Sequence, residues 1–435
     1  AQALLTQPSQ GRSTVELSMD SLTTAGEHAD VLECASDDVH EPGSIFVEVH
    51  SMSGDTVSIR VAVTSLVKDL KSSIALLRGI PTDCQELVAG TMVMRDQELL
   101  AAHCDGLATQ QLPLSVSLVT SLDGPRELML RNPTACNLGL KVALLEKLAL
   151  TASSSNQNIF GPIVGLVTES LRDPQDCVRE AAAKALAQLS DGPDSKAFAA
   201  AHACLSEGGL VQAAAVSALG RMLKEEPRRA CVVLCPSLDV PCEHTKCAVA
   251  EALRPAVAAG ERRAILALCA CLHDTSVSVR KAAGEALSEA ANAPGCELAE
   301  LAVLARLSHP NPSCRRSAVD ALGSVVRRGS GPALAGLLER LAKDDCPAVR
   351  SAALRAITFA AYLGDPKIVA AIVRVLECDK EASVRGSAAD ALGQVAEVGQ
   401  RVATDALLYR LKKDSELFVR VRAKMMLLRL GVDTH

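Results

Sequence analysis

The densest set of residues able to do chemistry is the stretch CVVLCPSLDVPCEHTKC, which gathers Cys231, Cys235, Cys242, His244 and Cys247. Thiolates and imidazole are zinc ligands, but structural zinc sites bring their cysteines in as close C-x-x-C pairs, and these gaps do not reproduce that framework. Small apolar filler is the simpler role for thiols among Ala-rich helices, as at Cys314, which stands where Val stands elsewhere. No metal and no cofactor is expected. No G-x-S-x-G, P-loop, H-E-x-x-H or Cys-His nucleophile arrangement is present, so no catalytic residue is assigned and the chain reads as non-enzymatic.

A second set of charged residues recurs. One slot is filled by Arg179, Gln212, Lys246, Arg280, Arg315, Arg350, Arg385 and Arg420, at spacings of 33, 34, 34 and then four times 35 residues. Seven residues after each slot stands Leu or Ile, from Leu186 to Leu427. Six residues before the slot stands Asp173, Asp274, Asp344, Asp379 or Asp414, and an apolar segment such as PKIVAAIVRVLE precedes each Asp. Each of the eight units is therefore helix, short acidic turn, helix. Such a pair cannot bury both apolar faces alone, and stacking it between neighbours buries a continuous core.

The pairs Asp173/Arg179, Asp274/Arg280, Asp344/Arg350, Asp379/Arg385 and Asp414/Arg420 are expected to form a structural ladder tying each turn to its neighbour. Removing one partner would strand a partly buried charge at a cost of a few kcal/mol, on the order of 3. Ser206 and Val240 occupy the Asp position ahead of Gln212 and Lys246, which predicts the weakest ladder between the second and third units. Five residues after the slot, Glu251, Glu285, Asp320 and Asp390 fall on one face, broken by Arg355. Stacked helices would space them by roughly 10 Å, an acidic stripe that could take a basic peptide.

The composition fits stacked helices. Of 435 residues 49% are hydrophobic, yet there are only two Tyr, five Phe and no Trp, so the core must be built from many close Ala, Leu and Val contacts. The net charge of −6 sits mostly in residues 1–44, where eight acids face Arg12 alone. With neither a basic footprint nor aromatic stacking platforms, nucleic acid is excluded as a partner. Sixteen cysteines occur without a secretory h-region, and no apolar run approaches the roughly 18 residues of a membrane span. A reduced, cytoplasmic or nuclear setting is expected.

Residues 1–44 read as an acidic disordered tail. From Ile45, alternation in IFVEVHSMSGDTVSIRVAV predicts a β-hairpin turning at Ser53-Gly54-Asp55. A helix follows, with Leu66, Val67, Leu70, Ile74 and Leu77 at helical spacing and a Gly79-Ile80-Pro81 stop. The strand LVAG, a polar turn and the strand LSVSLV complete a ββαββ order. This stretch resembles ubiquitin: the hairpin, the helix ending Gly-Ile-Pro, then Asp83, Gln85, Leu87 and Ala89-Gly90 keep that family's order. Where a conjugatable modifier carries an Arg-rich tail ending in Gly-Gly, this chain reads TSLDGP and runs on. The resemblance implies a built-in ubiquitin-like domain over 45–122, with Met52, Val88 and Val119 near that family's apolar recognition patch and ubiquitin-receptor or proteasome subunits as partners.

The form D-x-x-x-x-[VC]-R-x-A-A-x-x-A-L resembles HEAT repeats, especially the short Ala-rich kind of phycobilisome-lyase-type proteins. The expected fold is multidomain: an α+β ubiquitin-like β-grasp domain, then linker and capping helix over 123–155 with the linker near Asp123-Gly124-Pro125, then an all-α HEAT-like solenoid of eight units over 156–435. The resemblance implies a protein-binding scaffold or adaptor, the solenoid holding a client protein and the ubiquitin-like domain recruiting its receptors. The alternative is an enzyme related to HEAT-like phycobilin lyases or to deoxyhypusine hydroxylase. The hydroxylase holds di-iron through His-Glu pairs on repeated helices, and here His-Glu occurs only at His40-Glu41.

Overall fold

The computed structural model describes residues 13–14, 44–51, 56–78, 80–104, 113–130, 135–152, 157–191 and 195–433. Apart from Ser13 and Thr14, and Ser44 at its end, the acidic segment 1–44 lies outside them, as do Met52 and the turn Ser53-Gly54-Asp55. Chain contacts divide the molecule into two compact units, 1–200 and 201–435.

The first unit opens with a mixed sheet of β1 (Ser13–Thr14), β2 (Ser44–Ser51), β3 (Thr56–Ala62), β4 (Gln85–Ala89), β5 (Met92–Met94) and β6 (Leu114–Thr120). Its order is β1-β3-β2-β6-β4-β5. The hairpin β2/β3 is antiparallel with Val47 opposite Ile59, and β2 lies parallel to β6 with Val49 opposite Val116. Alternation decides the faces: Val47, Val49, Ile59, Leu87, Val116 and Leu118 are buried, while their neighbours point outward. Helix α1 (Val67–Arg78) supplies the matching row Val67, Leu70 and Ile74. The Gln85 side chain donates to the carbonyls of Lys71 at 2.9 Å and Ile80 at 2.7 Å, fastening β4 to the end of α1. The parallel β2/β6 pair beside the β2/β3 hairpin, with α1 on the buried face, makes this an α+β domain built on a mixed sheet. Residues 92–94 were expected as a polar turn and instead form β5, because Leu87 and Met94 pair across the buried side.

The expected linker at Asp123-Gly124-Pro125 is helical. These residues begin α2 (Asp123–Leu130), with Pro125 buried and the Asp123 N–H bonded to Ser121 Oγ at 3.0 Å. Helices α3 (Ala135–Thr151), α4 (Gln157–Ser170) and α5 (Asp176–Gln188) follow. Lys147 on α3 pairs with Asp83 of the sheet domain at 2.8 Å.

The division between units falls within α6 (Lys196–Ala203). The second unit contains α7 (Gly209–Met222), α8 (Pro227–Leu234), α9 (Glu243–Ala252), α10 (Arg254–Ala258), α11 (Arg262–Cys271), α12 (Val277–Leu287) and α13 (Cys296–Leu304). Helices α14 (Pro312–Val325), α15 (Gly331–Lys343), α16 (Pro347–Ala360), α17 (Pro366–Cys378), α18 (Ala382–Val395), α19 (Arg401–Lys413) and α20 (Leu417–Arg429) complete it. Every slot residue lies on the second helix of a pair. Small residues let these helices approach: a Cβ on Gly323 would stand 3.0 Å from that of Ala356 on α16. The loops repeat as well. Gly329 and Gly364, both at positive φ, donate to Ala360 O and Val395 O at 2.7 Å, and Tyr362 lies where a side chain on Gly329 would have to go.

The ladder differs from the expected pairing. Arg385 was matched with Asp379 of its own unit, but its Nε and Nη2 grip Asp414 Oδ2 and Oδ1, 29 residues later, at 2.8 and 2.9 Å. Arg350 holds Asp379 in the same way at 2.8 Å, and Arg315 holds Asp344 at 2.8 Å. Only the main-chain oxygen of the unit's own Asp accepts from its Arg, as at Asp379 O from Arg385 Nη1 at 3.0 Å, Asp344 O from Arg350 at 2.9 Å and Asp414 O from Arg420 at 2.7 Å. The planar fork reaches one carboxylate with two N–H groups and its own turn with the third, which a Lys could not do.

Each rung's Asp also shapes the chain locally. Asp344, Asp379 and Asp414 accept the N–H two residues on, at 3.0, 2.9 and 3.0 Å, setting the turn from which the second helix starts. Arg385 holds the Asp414 carboxyl below the ordinary carboxylate range against the opposing effect of burial. Because the folded pKa is the lower one, the rung's stability is whole above about pH 4, the unfolded value, and fades as pH falls through the folded pKa. A melting-temperature profile should therefore drop on the acid side, and Asp414→Asn should flatten that limb. An unchanged acid limb in the variant would contradict the pairing.

Candidate interaction surfaces

On the outer face of the sheet, Val88 and Val119 are both half-buried and share one side: Glu86 faces Val119 and Val88 faces Ser117 across β4/β6. Across β4/β5 Val88 faces Val93, which is 52% exposed. Val93 is the member of this apolar trio that the sequence hides, because its three-residue strand has no period of its own. Met52, placed with Val88 and Val119 by resemblance, lies outside the described residues. The other edge of the same face is polar, with Arg60 stacked 6.0 Å over Phe46 and His50 Nδ1 2.9 Å from Thr56 Oγ1.

The ladder residues of the earlier units take different partners. The Asp173 carboxylate pairs with buried Lys141 on α3 at 3.1 Å, whereas Arg179 bonds Asp173 O through Nη1 at 2.7 Å and Asp176 through Nη2. The Asp274 carboxylate is held by Lys246 at 2.6 Å, and Arg280 donates instead to Asp274 O at 2.8 Å and Ser317 Oγ at 3.2 Å. His309 occupies the position that would offer Arg280 a carboxylate, and its ring packs 4.2 Å from that of His273. Between the second and third units the tie is neutral: Thr245 Oγ1 donates to Gly209 O at 3.2 Å and meets Gln212 Oε1 at 3.5 Å.

The stripe carries interleaved cations rather than bare acids. Arg254 bonds Glu251 at 3.2 Å, Lys281 lies 3.6 Å from Glu285, and Asp320 is shared by Arg316 at 3.7 Å and Arg355 at 2.9 Å. Asp390 pairs with Arg422, and burial pushes its carboxyl up, opposed by that arginine. The structure brings Glu285 and Asp320 together in one furrow of about 520 Å³ between α12 and α14, where Arg280, Lys281 and Arg316 also line the walls. Three cations against two acids make this furrow a mixed-charge surface, not the acidic groove expected.

The thiols of the cysteine stretch do not share one environment. Cys231 is buried on α8, while Cys235, Cys242 and Cys247 are half-buried. Among the described residues, no three His, Cys, Asp or Glu side chains converge to hold a metal ion. The Cys231 thiol hydrogen-bonds Cys235 and lowers its pKa; burial opposes this and Arg263 adds to it. Burial pushes Cys269 and Cys84 up to about 12 and Cys271 to about 11.

Against known proteins, residues 334–427 and 163–192 match family models described as HEAT repeats. The helical part is thus a HEAT-like repeat array, an architecture suited to protein contact over an extended surface. No curated protein matches the chain. Solved structures similar to it include an engineered protein at 17% identity, covering 71% of this chain and 98% of its own, with a TM-score of 0.31. The E. coli protein YibA aligns at 17% identity over 70% of this chain and 99% of its own, with a TM-score of 0.40. Kap121p bound to Nup53p aligns at 14% identity over 74% of this chain and 38% of its own, with a TM-score of 0.49. Among the described residues, no helix is long and apolar enough to cross a membrane.

Thiol reactivity tests this arrangement. In the folded protein near pH 8, iodoacetamide should label exposed Cys177 and Cys378 and depressed Cys235 first, sparing Cys84, Cys269 and Cys271. Peptide mass spectrometry reads the order, and labelling of Cys269 as fast as Cys177 would contradict it.

Proposed function

We propose that the chain is a non-enzymatic protein-binding scaffold whose helical repeats hold a client protein and whose sheet domain recruits a ubiquitin receptor. The observation that supports this most is the mixed-charge furrow on consecutive second helices, where Arg280, Lys281, Glu285, Arg316 and Asp320 line about 520 Å³ of open surface. Cations and carboxylates alternating at helix spacing favour a polar peptide segment over a compact small molecule, which would need a mostly apolar, enclosed site.

The second arm of the proposal is supported by the mixed sheet with α1 on one side, which follows the order expected of a ubiquitin-like domain, and by Val88, Val93 and Val119 sharing one outer face, a small apolar patch beside polar neighbours. A receptor helix or strand covering those three valines would bury them and leave Glu86 and Ser117 at the rim. Proteasomal and other ubiquitin receptors fit that description, and a cytoplasmic or nuclear setting suits such recruitment.

Affinity capture with the full chain tests both arms. Val88→Glu with Val93→Glu should deplete ubiquitin-receptor or proteasome subunits at least ten-fold and leave clients in place. Glu285→Lys with Asp320→Lys should do the reverse. If both folded variants retain the same proteins as the parent, the reading is wrong.

A further inference from the structure

The last second helix, α20, carries an outward face unlike those of the units before it. Leu417, Val421, Met425 and Leu428 recur at helical spacing and are 65, 48, 57 and 53% exposed. The positions 35 residues earlier on α18 are Ala382, Gly386, Asp390 and Gly393. There the small residues admit α20 itself: a Cβ on Gly386 would stand 2.9 Å from Phe418, and one on Gly393 would collide with Met426. Val421 and Leu428 stand where Gly386 and Gly393 admit a neighbouring backbone, and no other unit described carries four large apolar side chains at these positions.

Beside this apolar row lies Arg420. Its Nη1 bonds Asp414 O at 2.7 Å and Ser415 O at 3.0 Å, the same cradle that positions Arg385 on Asp379 O and Lys380 O. At Arg385 the Nε and Nη2 so positioned hold a carboxylate, whereas among the described residues no carboxylate pairs with Arg420. Lys424 is exposed one turn further on, and Glu416 is the sole acid in the run 416–429. The helix thus offers a bidentate fork already oriented, a second cation, and four large apolar side chains. A second copy laid on this face would set Arg420 and Lys424 against their own like charges.

We propose that α20 is a docking surface for an acidic amphipathic helix of another protein. Its apolar row would cover Leu417, Val421, Met425 and Leu428, and its flanking carboxylates would engage Arg420 and Lys424. This deepens the scaffold reading, on which it rests, by giving one partner class and its place.

The test uses the full chain and a fluorescein-labelled 18-residue peptide with Leu at helical three- and four-residue spacing and Glu on both flanks. Fluorescence anisotropy should show saturable binding, weakened at least ten-fold by Val421→Glu, several-fold by Arg420→Gln, and at least ten-fold when Lys replaces Glu in the peptide. Met425→Glu serves as a second variant if Val421→Glu lowers the melting temperature. Absent binding, or binding equal in these variants, overturns the proposal. So does a dimer seen by sedimentation that Val421→Glu dissociates, since a second copy would then cover the face. Clients captured through the furrow despite failure of the peptide would sink this surface and leave the scaffold reading standing.

Discussion

The repeat array depends on a single charged contact: the guanidinium of one unit clasping the turn carboxylate of the next while bonding its own turn's carbonyls. Arg315, Arg350 and Arg385 each do this, with side-chain exposures of 10, 14 and 10%. A charge so far out of water needs its donors engaged, and the planar fork makes five hydrogen bonds at Arg315 and four each at Arg350 and Arg385. Since the same Asp also sets the turn before the following helix, one residue couples local chain reversal to the stacking distance between units. Ala- and Gly-lined helix faces then add dispersion contacts that the rung has already brought into range.

Where the contact is missing, other chemistry takes its place. Lys141 and Lys246 supply point charges to Asp173 and Asp274, Thr245 supplies neutral hydrogen bonds near Gln212, and His309 leaves Arg280 to a serine. The shorter spacings of 33 and 34 residues fall among these irregular units, and the even 35-residue spacing covers the complete forks together with the one irregular junction at Arg280. Every complete fork sits in a unit of 35 residues, because the fork requires that length of turn and helix, while the unit length alone does not supply the carboxylate.

Much of this was legible in the sequence, since Arg and Asp at fixed offsets, with Leu seven residues on, mark helix pairs without any structure. The direction of the pairing was not legible. An Asp six residues ahead of an Arg looks like its partner, but six residues across a turn bring the main-chain oxygen, not the carboxylate, to the guanidinium. Arg315 was passed over because His309 precedes it, although its own partner, Asp344, has the least exposed side chain of the rungs together with Asp414. In the sheet domain, alternation gave away the long strands. It could not reveal the three-residue β5, nor therefore Val93, because so short a strand has no period of its own. Likewise the residues five after each slot showed acids and Arg355 on one face, but not that Arg355 pairs with Asp320 of the preceding unit.

The most direct measurement is a double-mutant cycle on Arg350 and Asp379, read by urea denaturation of the full chain. Arg350→Met removes the fork, and Asp379→Asn removes the charge while keeping an acceptor for the Glu381 N–H. The contact described here predicts that each single change costs on the order of 3 kcal/mol and that the pair costs less than their sum by about 1.5 kcal/mol or more. Costs that add to within about 0.5 kcal/mol would show that the two side chains act independently, and the ladder would not be what holds the units together.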